Sequence, residues 1–246
     1  MVMSKFYKRI AGICIVIAVA ASGFWFYARW YSFSPLPEGV QIAARLPDSF
    51  TFFDIGANTR FSSSVRKDLD SRLGSDAISY RGQIDLSDDN PDFLQKYFPD
   101  IYQLNLQLNY PPRERIEHSC IKLTYRYSQK VGVPFKYVEI CFSGYSGRPL
   151  YCNVVVSDAG ADVINTLYQK YGQPEELQVS AGFTGGRFWK KHDDVLLVSV
   201  KKDHYNKPEY HIMIYYVNTL QELLDIEHAQ ARQLQDRVKQ AVNKAF

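Results

Sequence analysis

The sequence predicts an α+β fold: a mainly antiparallel sheet with a few packing helices, preceded by one N-terminal transmembrane helix. Three observations predict it. Residues 10–28 run for nineteen positions without a charge. Residues 118–127, 135–143 and 149–156 are apolar-rich alternating runs separated by short turn-forming stretches, the mark of strands joined by hairpins. Residues 159–171 carry an apolar stripe at helical spacing (Val163, Ile164, Leu167, Tyr168, Tyr171) and close on Gly172 and Pro174.

The uncharged run comes first. At a rise of about 1.5 Å per residue it nearly spans a hydrocarbon layer of roughly 30 Å. Lys5, Lys8 and Arg9 precede it and Arg29 alone follows closely. The positive-inside bias then leaves 1–9 as a cytoplasmic stub and sends the remainder out, across the inner membrane into the periplasm or cell exterior. Trp25, Tyr27, Trp30 and Tyr31 stand where the aromatic belt of the outer interface lies. The competing reading is a cleaved signal peptide ending at Ala18-Val19-Ala20, but apolarity continues past it through Phe24, Trp25, Phe26 and Tyr27. Residues 29–38 are a short spacer, kept extended by Pro35 and Pro37.

Between 39 and 217 lies the exported α+β domain, with lobes of 39–113 and 114–217 on either side of Pro111-Pro112. In the first lobe, 40–46 and 78–86 read as strands. Ser62-Ser63-Ser64 open a helix over 65–73 that Gly74 ends, and Asn90-Pro91 opens a short one to about 98. Leu104, Leu106 and Leu108 alternate with polar residues, which predicts a half-buried strand over 101–109. After the helix at 159–171, strands are expected at about 176–181, 186–191, 195–202 and 209–217, with turns at Thr184-Gly185-Gly186 and Asp193. Residues 218–246 form a C-terminal helix: Thr219 and Glu222 have capping-box spacing, Leu220, Leu223, Leu224 and Ile226 pack on the sheet, and the stripe then thins to Ala231, Leu234, Val238 and Val242. The helices are expected on one face of the sheet.

Composition narrows function by exclusion. Apolar residues make up 46% of the chain and aromatic ones 15%, so disorder is excluded. Three of the 29 basic residues and none of the 26 acidic ones lie in 1–28, so the exported part is formally neutral and offers no basic footprint for nucleic acid or anionic lipid. His118, Cys120, Cys141 and Cys152 are metal-binding types without the close spacing of a zinc site, and no cofactor motif is present. His192-Asp193-Asp194 reads as a turn, Gly182, Gly185 and Gly186 as a loop without a phosphate-binding lysine, and Ser146 as a turn residue that misses the nucleophile-elbow pattern. No catalytic set emerges.

In an oxidising compartment a disulfide is expected. Setting Lys122 opposite Glu139 as a charge pair places Cys120 opposite Cys141 and Arg126 opposite Phe135, and leaves Cys152 free in the core. Candidate interaction residues are Phe135 and Tyr137, on the strand face away from the core, and Leu234 and Val238 on the terminal helix. The expected function is a membrane-anchored extracytoplasmic binding or scaffolding module, working with a protein partner in an envelope complex. The alternatives are an envelope enzyme acting on cell-wall sugars or peptides, which needs two facing carboxylates, and an inhibitor or immunity-like protein.

Overall fold

The computed structural model describes residues 33–245 except 88–90, 127, 129–131, 158–159 and 178–184. The expected membrane segment, its belt residues Trp25, Tyr27, Trp30 and Tyr31, the cap at Asn90 and the loop residues Gly182 and Thr184 lie outside that set. Among the described residues no helix is long and apolar enough to cross a membrane.

Residues from Pro35 onward make one compact unit. Its centre is an eight-stranded antiparallel sheet: β1 (Ala77–Gly82), β2 (His118–Tyr125), β3 (Phe135–Ser143), β4 (Pro149–Val156), β5 (Glu175–Leu177), β6 (Gly185–Lys191), β7 (Asp194–Lys202) and β8 (Pro208–Tyr215). The spatial order is β1-β2-β3-β4-β8-β7-β6-β5. Two four-stranded meanders therefore meet at the β4–β8 pair, and the first strand of the earlier lobe extends the sheet of the later one.

Among the described residues, five helices accompany the sheet: α1 (Ser63–Leu73), α2 (Pro91–Tyr97), α3 (Pro99–Leu108), α4 (Gly160–Tyr171) and α5 (Val217–Ala245). They cover both faces, not one. Leu69 and Leu73 of α1 and Ile164 of α4 join Phe50, Ile55 and Phe61 over the face that carries Leu123, Val138, Ile140, Val154, Leu196 and Ile214. Phe93 and Leu94 of α2, Ile101, Leu104 and Leu108 of α3, and Leu220, Leu223, Leu224 and Ile226 of α5 pack over the face with Cys141, Tyr151, Leu197, Met213 and Tyr215. The physical reason lies in β4 and β7, which are buried almost without interruption and so present apolar residues both ways. Tyr215 and Tyr216 divide between the faces: one hydroxyl donates to Leu86 O (2.8 Å), the other to Phe50 O (3.1 Å).

Local signals hold where they are strongest. Ser62 Oγ accepts from Val65 N (3.3 Å) to cap α1, and Gly74 ends it at φ +85°. Asp194, on the hairpin after β6, accepts from Val217 N (2.9 Å) and caps the start of α5 from outside; burial holds its carboxyl above the usual range. Gly144 sits so close to Ser119 that a Cβ would stand 2.7 Å from its carbonyl oxygen, while Gly144 N donates to that same oxygen.

Two expected strands are absent. Residues 101–108 belong to α3 and Asn109 caps its end, because Ile101, Leu104 and Leu108 also fit a helical stripe and are the residues buried, whereas Leu106 is 47% exposed. Residues 40–46 are irregular. The Leu46 backbone is satisfied by the Asn58 side chain at 2.8 Å on both its N–H and its carbonyl, and Arg148 takes the carbonyls of Ala43 and Ala44 (2.5 and 3.0 Å).

The β2–β3 register differs from the expected one by two residues. Lys122 faces Cys141, Thr124 faces Glu139 and Cys120 faces Ser143. Lys122 nevertheless reaches Glu139 diagonally, Nζ to Oε1 at 3.3 Å, so the charge pair exists without fixing the register: a long side chain spans the diagonal. Cys120 and Cys141 are diagonal neighbours on one face, both buried and unlinked, and near enough for each thiol to perturb the other's pKa. Cys152 is buried on the opposite face.

Candidate functional site

The strongest candidate is a cavity of about 460 Å³ on the α1/α4 face of the sheet. Its floor is Val154 of β4, Leu196 of β7, and Ile212 and Ile214 of β8, the strands at the centre of the sheet. Helix α4 forms one wall. Val163 and Leu167 point in from one stripe; Asp162, Thr166 and Lys170, a turn apart from one another, supply a parallel polar stripe. The opposite wall is aromatic: Phe52, Phe53 and Phe135.

That aromatic wall is built by two departures from regular backbone. The first is a tight turn in which Phe52 and Ile55 exchange both backbone hydrogen bonds (3.0 Å each) and Phe53 takes φ +49°. A bulky residue in the left-handed region costs about 1–3 kcal/mol, and its ring is brought against Phe52 (4.6 Å between centroids) and Phe135 (6.1 Å). Arg72 stacks over the Phe53 ring at 5.1 Å. The second is a bulge in β3. Phe135 pairs with Val156 but Tyr137 pairs with Val155, so one extra residue turns Phe135 to the face opposite Tyr137.

The loop that carries Thr51 and Phe52 is tied down at several points. Thr51 N donates to Tyr171 Oη (3.0 Å), Lys170 Nζ donates to Thr51 Oγ1 (2.6 Å), and Phe50 packs edge-on against Tyr171 at 5.0 Å. Burial pushes the Tyr171 phenol up, but the bonds to Thr51 and the Lys170 charge outweigh it and leave it below its ordinary value. Trp189 fixes the end of α4 by donating Nε1 to Gly172 O (2.9 Å). Lys170 thus stands at the rim as a cation held by a neutral hydroxyl, and Asp162 is the one carboxylate among the lining residues described.

The structure distributes the sequence-derived candidates unevenly. Phe135 joins the cavity. Tyr137 lies on the other face, where it and Tyr151 donate to Glu139 at 2.6 Å each; burial raises both phenols. Leu234 and Val238 are exposed on the far half of α5, at 63% and 55%. Cys120 and Cys141 sit under α5 with His118, whose Nδ1 meets Glu227 Oε2 at 2.7 Å and whose Nε2 meets Leu108 O at 2.9 Å. No group of three or more metal-binding side chains occurs among the described residues. Thr51, Phe52, Phe53 and Lys170 had no assigned role from sequence; the aromatic run Phe50-Thr51-Phe52-Phe53 was the available signal.

No protein-family model matches the chain, and no curated protein or solved structure matches it either.

Proposed function

We propose that the protein is a membrane-anchored extracytoplasmic binding module whose ligand is an amphiphile, with its acyl or similarly apolar chain in the 460 Å³ cavity and its polar end at Lys170, Thr166 and Thr51. The cavity carries the reading. Its size lies within the range of small-molecule sites, and such sites combine apolar walls with a few placed polar groups. An apolar floor beside a single polar stripe matches a ligand with one wet end. The uncharged segment 10–28 would hold the module at the bilayer, where such molecules and a partner in an envelope complex are found.

The envelope-enzyme reading gains less. A glycosidase-like site needs two facing carboxylates, and the cavity has Asp162. Asp48 and Asp54 share a shallower polar depression, but each is engaged by an arginine: Arg45 at 3.5 Å and Arg72 at 3.3 Å.

The test is uptake of a fluorescent undecanoic acid by the full chain in nanodiscs, with Leu167→Trp as the variant that fills the cavity. Saturable uptake by the wild type and a loss of about tenfold or more in the variant, roughly 1.4 kcal/mol, is expected, with unchanged thermal unfolding. A wild type that takes up no probe above empty nanodiscs removes the proposal.

A further inference from the structure

The neutral charge of the exported part conceals a local concentration of charge. Residues 231–245 contain Arg232, Arg237, Lys239 and Lys244 against one acid, Asp236. They form the last half of α5, beyond Ile226, its last buried residue, and extend for about 22 Å. Gln233 is half-buried; the other residues from Ala231 on are exposed. At 100° per residue, Ala231, Leu234, Val238, Ala241, Val242 and Ala245 fall within one sector about 100° wide. Arg237 and Lys244 border one edge of that sector, Arg232 and Lys239 the other, and Asp236 lies behind. Leu234, Val238 and Val242 are 63%, 55% and 52% exposed, a row of large apolar side chains that the domain leaves uncovered.

We infer that this half of α5 lies in the headgroup layer of an anionic phospholipid bilayer. A helix with an apolar strip and cations on both borders is the interfacial arrangement: the strip enters the acyl boundary and the long basic side chains reach back to phosphates. Charge complementarity selects this occupant over a second copy of the chain, because two such helices would bring like charges together along both borders of the seam. Position agrees. Gln230 Nε2 donates to Pro35 O (3.1 Å) and Gln233 Nε2 to Glu38 O (2.9 Å), so the exposed half begins where the spacer enters the domain. Pro35 is seven residues past the end of the uncharged segment, no more than about 25 Å of chain. The inference rests on the membrane placement proposed above, and it supplies the domain with a second point of contact.

The experiment uses the full chain with a photoreactive benzoylphenylalanine in place of Val238. The chain is combined with vesicles of phosphatidylcholine alone or with one-third phosphatidylglycerol, and half of each sample is extracted with alkaline carbonate. Irradiation is expected to attach phospholipid to the peptide that contains residue 238, several-fold more in the anionic vesicles. Changing Arg232, Arg237, Lys239 and Lys244 to Gln is expected to reduce the adduct at least tenfold, since each cation near an anionic surface contributes to binding. An adduct of twice the chain mass assigns the strip to a second copy and overturns the inference; so does the absence of lipid adduct in anionic vesicles. Carbonate extraction reports the anchor separately: a chain released by carbonate that still gives the lipid adduct refutes the anchor alone, and a retained chain without adduct refutes the helix alone.

Discussion

Cys120 and Cys141 show how a single side chain's neighbourhood follows from register. Directly opposite cysteines have Cα atoms about 4.5–5.5 Å apart; diagonal ones stand about 7–8 Å apart, beyond the usual range of about 4.4–6.8 Å, so a bridge between them requires the backbone to move. The observed diagonal placement still leaves the two thiols near enough to act on each other, Cys141 lowering the Cys120 pKa and burial raising that of Cys141. We therefore predict that oxidised glutathione closes a Cys120–Cys141 bridge, its own S–S bond breaking as it takes up the two protons and two electrons of the cysteines and leaves as two glutathione thiols. Because closing it pulls the strands from their preferred spacing, it reduces more readily than an unstrained bridge. Non-reducing peptide mapping checks this. Three alkylatable thiols after oxidation would falsify the pairing, and a bridge that includes Cys152 contradicts the sheet, since that residue lies on the other face.

Among elements, the clamp between β2, α3 and α5 has a defined pH response. Burial alone pulls the His118 pKa down, but the Glu227 carboxylate and the Leu108 carbonyl outweigh it, and the result is above the ordinary value. A raised imidazole pKa contributes stability that is complete below about pH 6.5, the unfolded value, and is lost as pH rises through the higher folded value. Heating should therefore unfold the protein at a lower temperature at pH 8 than at pH 6. Glu227→Gln should flatten that difference, because neutral Gln no longer favours the imidazolium. Equal pH slopes in the two proteins would show that the pair is unimportant. Glu227 also accepts from Ser119 N (3.3 Å), so its loss loosens α5 near the point where the helix leaves the domain.

For the whole molecule, Arg148 joins segments that are remote in sequence. It is 1% exposed, takes the carbonyls of Ala43 and Ala44, and meets Glu222 of α5 at 3.4 Å from the turn between β3 and β4. Removing one partner of a buried pair leaves the other charge uncompensated, at a cost of about 3–5 kcal/mol. Arg148→Ala should therefore lower the free energy of unfolding by that amount in denaturant titration. Arg148→Lys should recover less than half, because an ammonium cannot reproduce the planar fork that spans two carbonyls and a carboxylate. A change under about 1 kcal/mol for the alanine variant would mean that the 43–46 segment is held by other contacts.

Local structure is legible along the chain. The strands of the second half, the helix over 160–171, the Ser62 cap, the Gly74 stop and the terminal helix follow from period, caps and turn residues that neighbours on the chain supply. Residues 101–109 were ambiguous because an alternation of leucines and a helical stripe coexist in one short stretch, and only packing against the sheet selects the helix. Register, the facing of Phe135 and the covering of both sheet faces were decided by tertiary structure. A bulge after Phe135 reverses it, and Lys122 is long enough to satisfy Glu139 from more than one alignment. The cavity is of the same kind: its walls come from residues 51–53, 134–135, 154, 162–170, 196 and 212–214, which carry no shared pattern along the chain and meet only when the two meanders close at β4 and β8.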